Sequence, residues 1–158
     1  PVPGRRETRR CAKGQARELE DRAPAAVLNN DLEALREIYA PDVVATTPDA
    51  GTLHGIDEFI EWNRALMDAF PDATFELSKA HETEDCAIDQ GEMIGTHTGT
   101  FQLPDGGSIQ PTGKQVRMRS VDIATVRDGK IVKHDFYYDQ LEMLAQLGLM
   151  EAPAQTQT

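Results

Sequence analysis

Cysteine is scarce in this chain of 158 residues, with only Cys11 and Cys86 present. Two thiols, one near the start and one in a strand-like stretch, do not make a disulfide framework, so they read as reduced thiols of a cytoplasmic protein. Long apolar runs are missing: nothing approaches the ~18 residues a membrane span requires. The opening PVPGRRETRR carries charge but has no apolar segment behind it, so no secretory signal is expected there. Basic residues are sparse beyond the start. Six of the sixteen (Arg5, Arg6, Arg9, Arg10, Lys13 and Arg17) fall in the first seventeen positions, and the formal net charge is −11. The acidic remainder repels phosphate backbones and anionic lipid, which disfavours nucleic-acid and membrane partners. The four histidines (His54, His81, His97, His134) have no neighbour at metal-ligand spacing, so no metal site is expected. No glycine-rich loop precedes a helix, so no nucleotide cofactor is expected and the cofactor expectation is none.

What remains is an ordinary globular composition, 39% hydrophobic and 27% charged, long enough to bury a core without staples. The expected organisation is a disordered basic head over residues 1–15, one domain over 16–148 and a frayed tail over 149–158. A helical pattern from Ala16 to Asn29 places Leu19, Ala23, Ala26 and Val27 on one side, with a kink or late start expected at Pro24. Asp31 is an N-cap for a second helix, Leu32 to Tyr39, with Leu32, Leu35, Ile38 and Tyr39 inward and Pro41 as its stop. A brief strand from Val43 to Thr46 is followed by the turn-rich PDAG, with His54 in a loop. Ile56 to Phe70 has the best helical periodicity, and Asn63 lies in the middle of its apolar stripe, so it must find partners or line a polar cavity. Strands are predicted over Thr74 to His81 and Ala87 to Phe101, then a loop from Leu103 to Lys114. A last helix, Gln140 to Leu147, turns Leu141, Leu144 and Leu147 inward.

The chain is organised around Val116 to Asp139, two long antiparallel strands closed by Asp128-Gly129. Alternation puts Val116, Met118, Ser120, Asp122 and Ala124 on one face. On the returning strand Val132, His134, Phe136 and Tyr138 share one face, and Ile131, Lys133, Asp135, Tyr137 and Asp139 the other. Both faces are partly apolar, so both need cover. The expected fold class is α+β: a cone-shaped, strongly curved mixed or antiparallel sheet, three N-terminal helices in its concavity and a short C-terminal helix. The face carrying Val121, Ile123 and Ile131 is the expected homodimer surface.

These elements carry a series of short motifs. Tyr39-Ala40-Pro41-Asp42-Val43-Val44, Ala69-Phe70-Pro71-Asp72, Gly95-Thr96-His97-Thr98-Gly99, Pro111-Thr112-Gly113-Lys114, Asp128-Gly129-Lys130-Ile131, His134, Asp139 and Gln146-Leu147-Gly148 together resemble the SnoaL-like polyketide (ester) cyclases of the nuclear transport factor 2-like superfamily. The resemblance runs in order from about Ala16 to Gly148. It implies a cofactor-independent cyclase or isomerase that closes an apolar, polyketide-like carbonyl compound by an intramolecular aldol reaction. The family's acid/base aspartate, two positions beyond the last strand's histidine, falls on Phe136, and its assisting histidine falls on Asp122.

Aldol closure needs positioning, one base for an activated C–H and a donor for the new alkoxide. Asp122, with no cation among its same-face neighbours, is the expected base, its pKa raised by burial. His97 or Tyr138 is the expected proton donor, and His134 is expected to orient a carboxylate or to serve as donor itself. Asn63 is placed on a carbonyl oxygen, with Phe59, Trp62, Met118, Ser120 and Phe136 as pocket wall. Asp135 and Asp139 are expected to cap the final helix or face solvent. An epoxide hydrolase of this fold would present an Asp-Arg-Asp set, for which Arg117 and Arg119 have the wrong parity. A ketosteroid-isomerase-like or dehydratase activity would use a phenol, Tyr39 or Tyr138. The competing class is a non-catalytic small-molecule binder, which the loss of the acid at Phe136 favours.

Overall fold

The computed structural model describes residues 14–151. The basic head up to position 13, with Cys11, and the tail from position 152 lie outside the described residues. Three helices come first: α1 (Gln15–Leu28), α2 (Leu32–Ile38) and, after strands β1 (Tyr39–Thr47) and β2 (Gly51–His54), α3 (Ile56–Ala69). Strands β3 (Thr74–Glu82) and β4 (Cys86–Thr96) follow. A two-stranded ribbon, β5 (Phe101–Gln102) with β6 (Ser108–Ile109), leads to β7 (Gln115–Arg127), β8 (Lys130–Tyr138) and α4 (Gln140–Gln146). The six long strands form one curled, open sheet in the order β2-β1-β8-β7-β4-β3, antiparallel except where β1 runs parallel to β8. This is the expected α+β architecture. No described helix is long and apolar enough to cross a membrane.

The β7–β8 hairpin turns at Asp128 and Gly129, whose φ values of 51° and 78° are both positive, as a tight turn matched to strand twist requires. Opposite the turn the register places Ser120 against Tyr138, Asp122 against Phe136 and Ala124 against His134. Val116, Met118, Ala124 and Val126 are buried on the concave side, so the alternation read from the sequence holds along β7. It fails at one point on β8. Thr125 pairs with Lys133 but Val126 pairs with Ile131, which leaves Val132 as an extra residue. Such a bulge reverses the parity of what lies beyond it. Ile131 therefore turns into the core and is fully buried, so it is not part of the convex surface with Val121 and Ile123.

Several helix expectations also change. α1 runs uninterrupted through Pro24, because Ala23, Ala26 and Val27 around it are packed in the core and hold the turn. α2 ends at Ile38 and passes straight into β1. Pro41 therefore lies inside a strand, in the irregular stretch between the Tyr39–Ile131 and Val44–Lys133 pairs, where its missing N–H breaks no regular rung. Leu32 is exposed, while Leu35, Ile38 and Tyr39 are buried. His54 pairs with Val44 at the end of β2. On α4 Met143 and Leu147 face inward, and Leu141 is exposed. Asp139 caps that helix, accepting from the backbone N–H groups of Leu141 and Glu142. Asp135 is buried, where it accepts from Thr46 Oγ1 at 2.5 Å and pairs with Lys133.

The Gly-Thr-His-Thr-Gly motif is a structural clasp. Gly99 donates its N–H to Ala69 O, and a Cβ at this position would stand 1.8 Å from Asp68 O. Both groups are backbone, so neither side can yield cheaply. Gly99→Ala is expected to destabilise the fold by about 1–3 kcal/mol. Urea denaturation would read this as a lower midpoint, and an unchanged midpoint would contradict it.

Candidate functional site

The open side of the sheet and helices α1 and α3 enclose a cavity of about 600 Å³. Phe59, Trp62, Asn63, Met118, Ser120, Asp122, His134, Phe136 and Tyr138, all expected at a site, line it together. His97 does not. It follows β4, is fully buried and packs on Phe70 at 5.3 Å. Its Nδ1 accepts from the Thr112 backbone N–H at 3.2 Å and lies 3.0 Å from Thr112 Oγ1, so the ring fastens the 98–113 loop.

At one pole of the cavity four side chains meet, from α1, β1, β7 and β8. His134 Nε2 lies 2.8 Å from Asp122 Oδ2, and His134 Nδ1 lies 2.9 Å from Tyr39 Oη. Glu20 reaches down from α1, its Oε1 3.7 Å from His134 Nε2, and is within hydrogen-bonding reach of Asp122. Glu20 and His134 are almost sealed, with side-chain exposures of 4% and 3%, whereas Asp122 keeps 17%. The member that faces the cavity is thus Asp122.

Glu20 is the residue that sequence reading missed. Burial first, then the negative charges of Asp122 and Asp89, push its carboxyl up to about 8 against the pull of His134. Two carboxylates cannot hydrogen-bond each other, so their contact requires one shared hydrogen, and Glu20 is the one that keeps it. Its Oε2, buried and without an acceptor role, is consistent with a neutral carboxylic acid. Asp122 goes the other way. Burial raises it, but the His134 hydrogen bond and charge, the Glu20 hydrogen bond and Arg17 together bring it below the usual aspartate range. This corrects the expected upward shift: the cation that β7 does not supply arrives from β8. For His134, burial lowers the pKa, yet the one negative charge that Glu20 and Asp122 share outweighs it and raises the imidazole above its ordinary value. Tyr39 is held well above the normal phenol range, chiefly by burial, and keeps its proton. When His134 is neutral, Tyr39 Oη–H donates to Nδ1 and the ring's N–H points to Asp122.

Arg17, from the edge of the basic stretch, forks onto Asp89 at 2.5 and 2.8 Å and also binds Asp21. Asp89 is the direct cross-strand partner of Asp122. An arginine does therefore stand near Asp122, but from α1, with both neighbouring carboxylates already engaging it. Arg117 and Arg119 point away, to Glu92 and Glu142. Among the described residues Glu20, Asp122 and His134 bring ligand-type atoms within 4.8 Å of one another. A cation there would first have to break the 2.8 Å His134–Asp122 hydrogen bond, so these groups are arranged around protons.

At the other pole Asp49, from the turn after β1, accepts from Tyr138 Oη at 2.7 Å, Trp62 Nε1 at 3.1 Å, Thr47 Oγ1 at 2.8 Å and the Ala50 N–H at 2.9 Å. Burial and then Asp49 push the Tyr138 phenol far above its normal range, so its hydrogen is committed and Tyr138 is no free donor. Asn63 Nδ2 is likewise committed to Phe59 O of its own helix. Between the poles Phe136 stacks on His134 at 4.1 Å and packs on Trp62 at 5.2 Å, an aromatic wall at the position where the resemblance expects an acid.

The sequence profile of the SnoaL-like polyketide cyclases matches residues 18–147. The structure superposes on wild-type IdmH of Streptomyces antibioticus, described as a proposed polyketide cyclase, with 31% identity and a TM-score of 0.72 over 85% of this chain and 99% of that one. It also superposes on AclR of Streptomyces galilaeus, described as a proposed hydroxylase, with 25% identity and a TM-score of 0.74 over 90% and 87%. A SnoaL-like protein of Jannaschia sp. CCS1 shares the fold at 20% identity, TM-score 0.77, over 95% and 100%. No curated protein sequence matches this chain.

Proposed function

The chain belongs to the SnoaL-like polyketide cyclase family, and from that membership and the cavity we propose that it closes a ring in an apolar, polyketide-like carbonyl compound, with Asp122 as acid and base. The observation that carries this reading is that Asp122 is the most exposed member of the buried Glu20–Asp122–His134–Tyr39 network that lines the cavity. An aldol closure moves one proton. Asp122 takes it from a carbon between two carbonyls, the enolate forms the new C–C bond, and the resulting alkoxide takes the proton back from Asp122. No other group need change its state over a cycle. His134, steadied by Tyr39, holds the carboxylate in place, and protonated Glu20 spares the site a second negative charge.

A carboxylate held below its usual range is a modest base, so the substrate must bring an activated methylene. Phe136, Trp62 and Phe59 give its skeleton flat apolar walls. The test is turnover of a linear chain that carries a methylene between two ketones and a third carbonyl in reach. Ring closure above the uncatalysed rate is expected. Tight binding without closure, across chains of graded length, would replace this reading with that of a non-catalytic binder.

A further inference from the structure

A census of hydrogen-bonding capacity on the cavity wall separates groups already in use from groups still open. Ser120 and Gln102 keep a hydroxyl and an amide open, but the donors nearest the two acidic poles are in use. Tyr39 Oη–H serves His134, Tyr138 Oη–H and Trp62 Nε1–H serve Asp49, and Asn63 Nδ2 serves Phe59 O. Open charged capacity is on acceptors. Asp49 Oδ2 receives only a long 3.3 Å contact from Trp62. Charge points the same way. Nine of the lining residues carry carboxyl groups, none is a lysine or arginine, and His134 is the sole basic side chain among them. Asp49 is surrounded by neutral donors and has no cation within salt-bridge distance among the described residues. Beside it stand the indole of Trp62 and the ring of Tyr138, whose N–H and O–H edges meet Asp49 and whose bodies give apolar cover to a group bound there.

We propose that the cavity selects its ligand by charge: the substrate is an apolar carbonyl compound bearing a protonated amine, which sits against Asp49 beside Trp62 and Tyr138, and carboxylate-bearing analogues are refused. This deepens the reading above, on which it rests, by naming the substrate class. It also fixes a polarity within the cavity. The amine end lies at the Asp49 pole and the reacting carbons lie at Asp122, with the Phe136 wall between them.

Trp62 is the only tryptophan in the chain and lines the cavity, so its emission reports occupancy. The probes are three biphenyls that differ in one substituent, aminomethyl, hydroxymethyl or carboxymethyl, titrated into the full-length protein with calorimetry as a second readout. The amine is expected to bind about tenfold more tightly than the alcohol, and the acid about tenfold less tightly. Raising ionic strength should weaken the amine and leave the alcohol unchanged. Asp49→Asn keeps an acceptor for the Thr47 and Ala50 bonds and is expected to bring all three affinities together. An acid that binds as well as the alcohol, or an amine preference that survives Asp49→Asn or high salt, would overturn the proposal. If none of the three binds, the cavity is not a ligand site, and that outcome removes the proposed function as well. Selective binding without ring closure would leave charge selection standing and remove only the chemistry.

Discussion

Asp122→Asn is expected to abolish ring closure, lowering kcat by roughly 10²–10⁴ with little change in KM. The substitution preserves volume and leaves an oxygen that can accept from His134 Nε2, so the fold should persist. What it removes is the site at which a proton is taken up and returned. A second consequence is independent of turnover. His134 owes its raised pKa partly to the charge of Asp122 at 2.8 Å, so the imidazole should titrate at lower pH in the variant. NMR of the His134 ring would show that shift whether or not the right substrate is in hand. An unchanged rate in a variant whose His134 has shifted would show that the network is intact but is not the catalyst.

Glu20→Gln should stabilise the protein at alkaline pH. In the folded state burial holds the Glu20 carboxyl near 8, against an ordinary value near 4.5. Between those values the unfolded chain releases a proton that the folded chain keeps, so each rise in pH favours unfolding. One such group costs about 1.4 kcal/mol per pH unit. Wild type is therefore expected to lose on the order of 3 kcal/mol between pH 5 and pH 7.5 from this residue. His134 acts in the same sense, since its raised pKa gives stability that is complete below its ordinary value and lost as pH rises through the folded one. Asp122 acts oppositely and outside the window: its contribution is present above the ordinary aspartate range and lost as pH falls through its lowered value. Glutamine imitates the protonated acid, because its Nε2 amide hydrogen can still reach Asp122, and it cannot ionise. Urea midpoints for the variant should be flatter across this range, with the gap over wild type widening toward pH 8. A wild-type midpoint that rises with pH over the same range would contradict the assignment.

The sequence revealed the frame of the site better than its contents. Alternation and the Asp-Gly turn were enough to place Asp122, His134, Phe136 and Tyr138 on one surface, because a strand pair with a defined turn leaves little freedom. Partners that come from other elements were invisible to that pattern. Glu20 did leave a mark: it falls three before Ala23 and seven before Val27, a charge inside the apolar stripe of α1, and Asn63 was noticed on α3 for the same reason. Asp49 looked like any acid in a Pro-Asp-Ala-Gly turn, and only the fold brings Trp62 and Tyr138 to it. His97 misled because extending strand alternation past Thr96 assumes a strand that stops there. The extra residue at Val132 left no mark, since one inserted β-branched residue is as good a strand former as its neighbours.

That extra residue makes the hairpin tolerant in one place and brittle in all others. Removing Val132 would join Lys133 to Ile131 in regular step, so both the turn and the segment that bears His134 and Phe136 would keep their outlook. Loss of Lys133 would let Val132 take its rung, whereas loss of a residue from His134 to Phe136 would exchange inside for outside along part of β8 and cost the cavity its imidazole or phenyl. Natural length variation in this ribbon therefore has a single harmless address, and a relative one residue shorter there should still carry a working pocket.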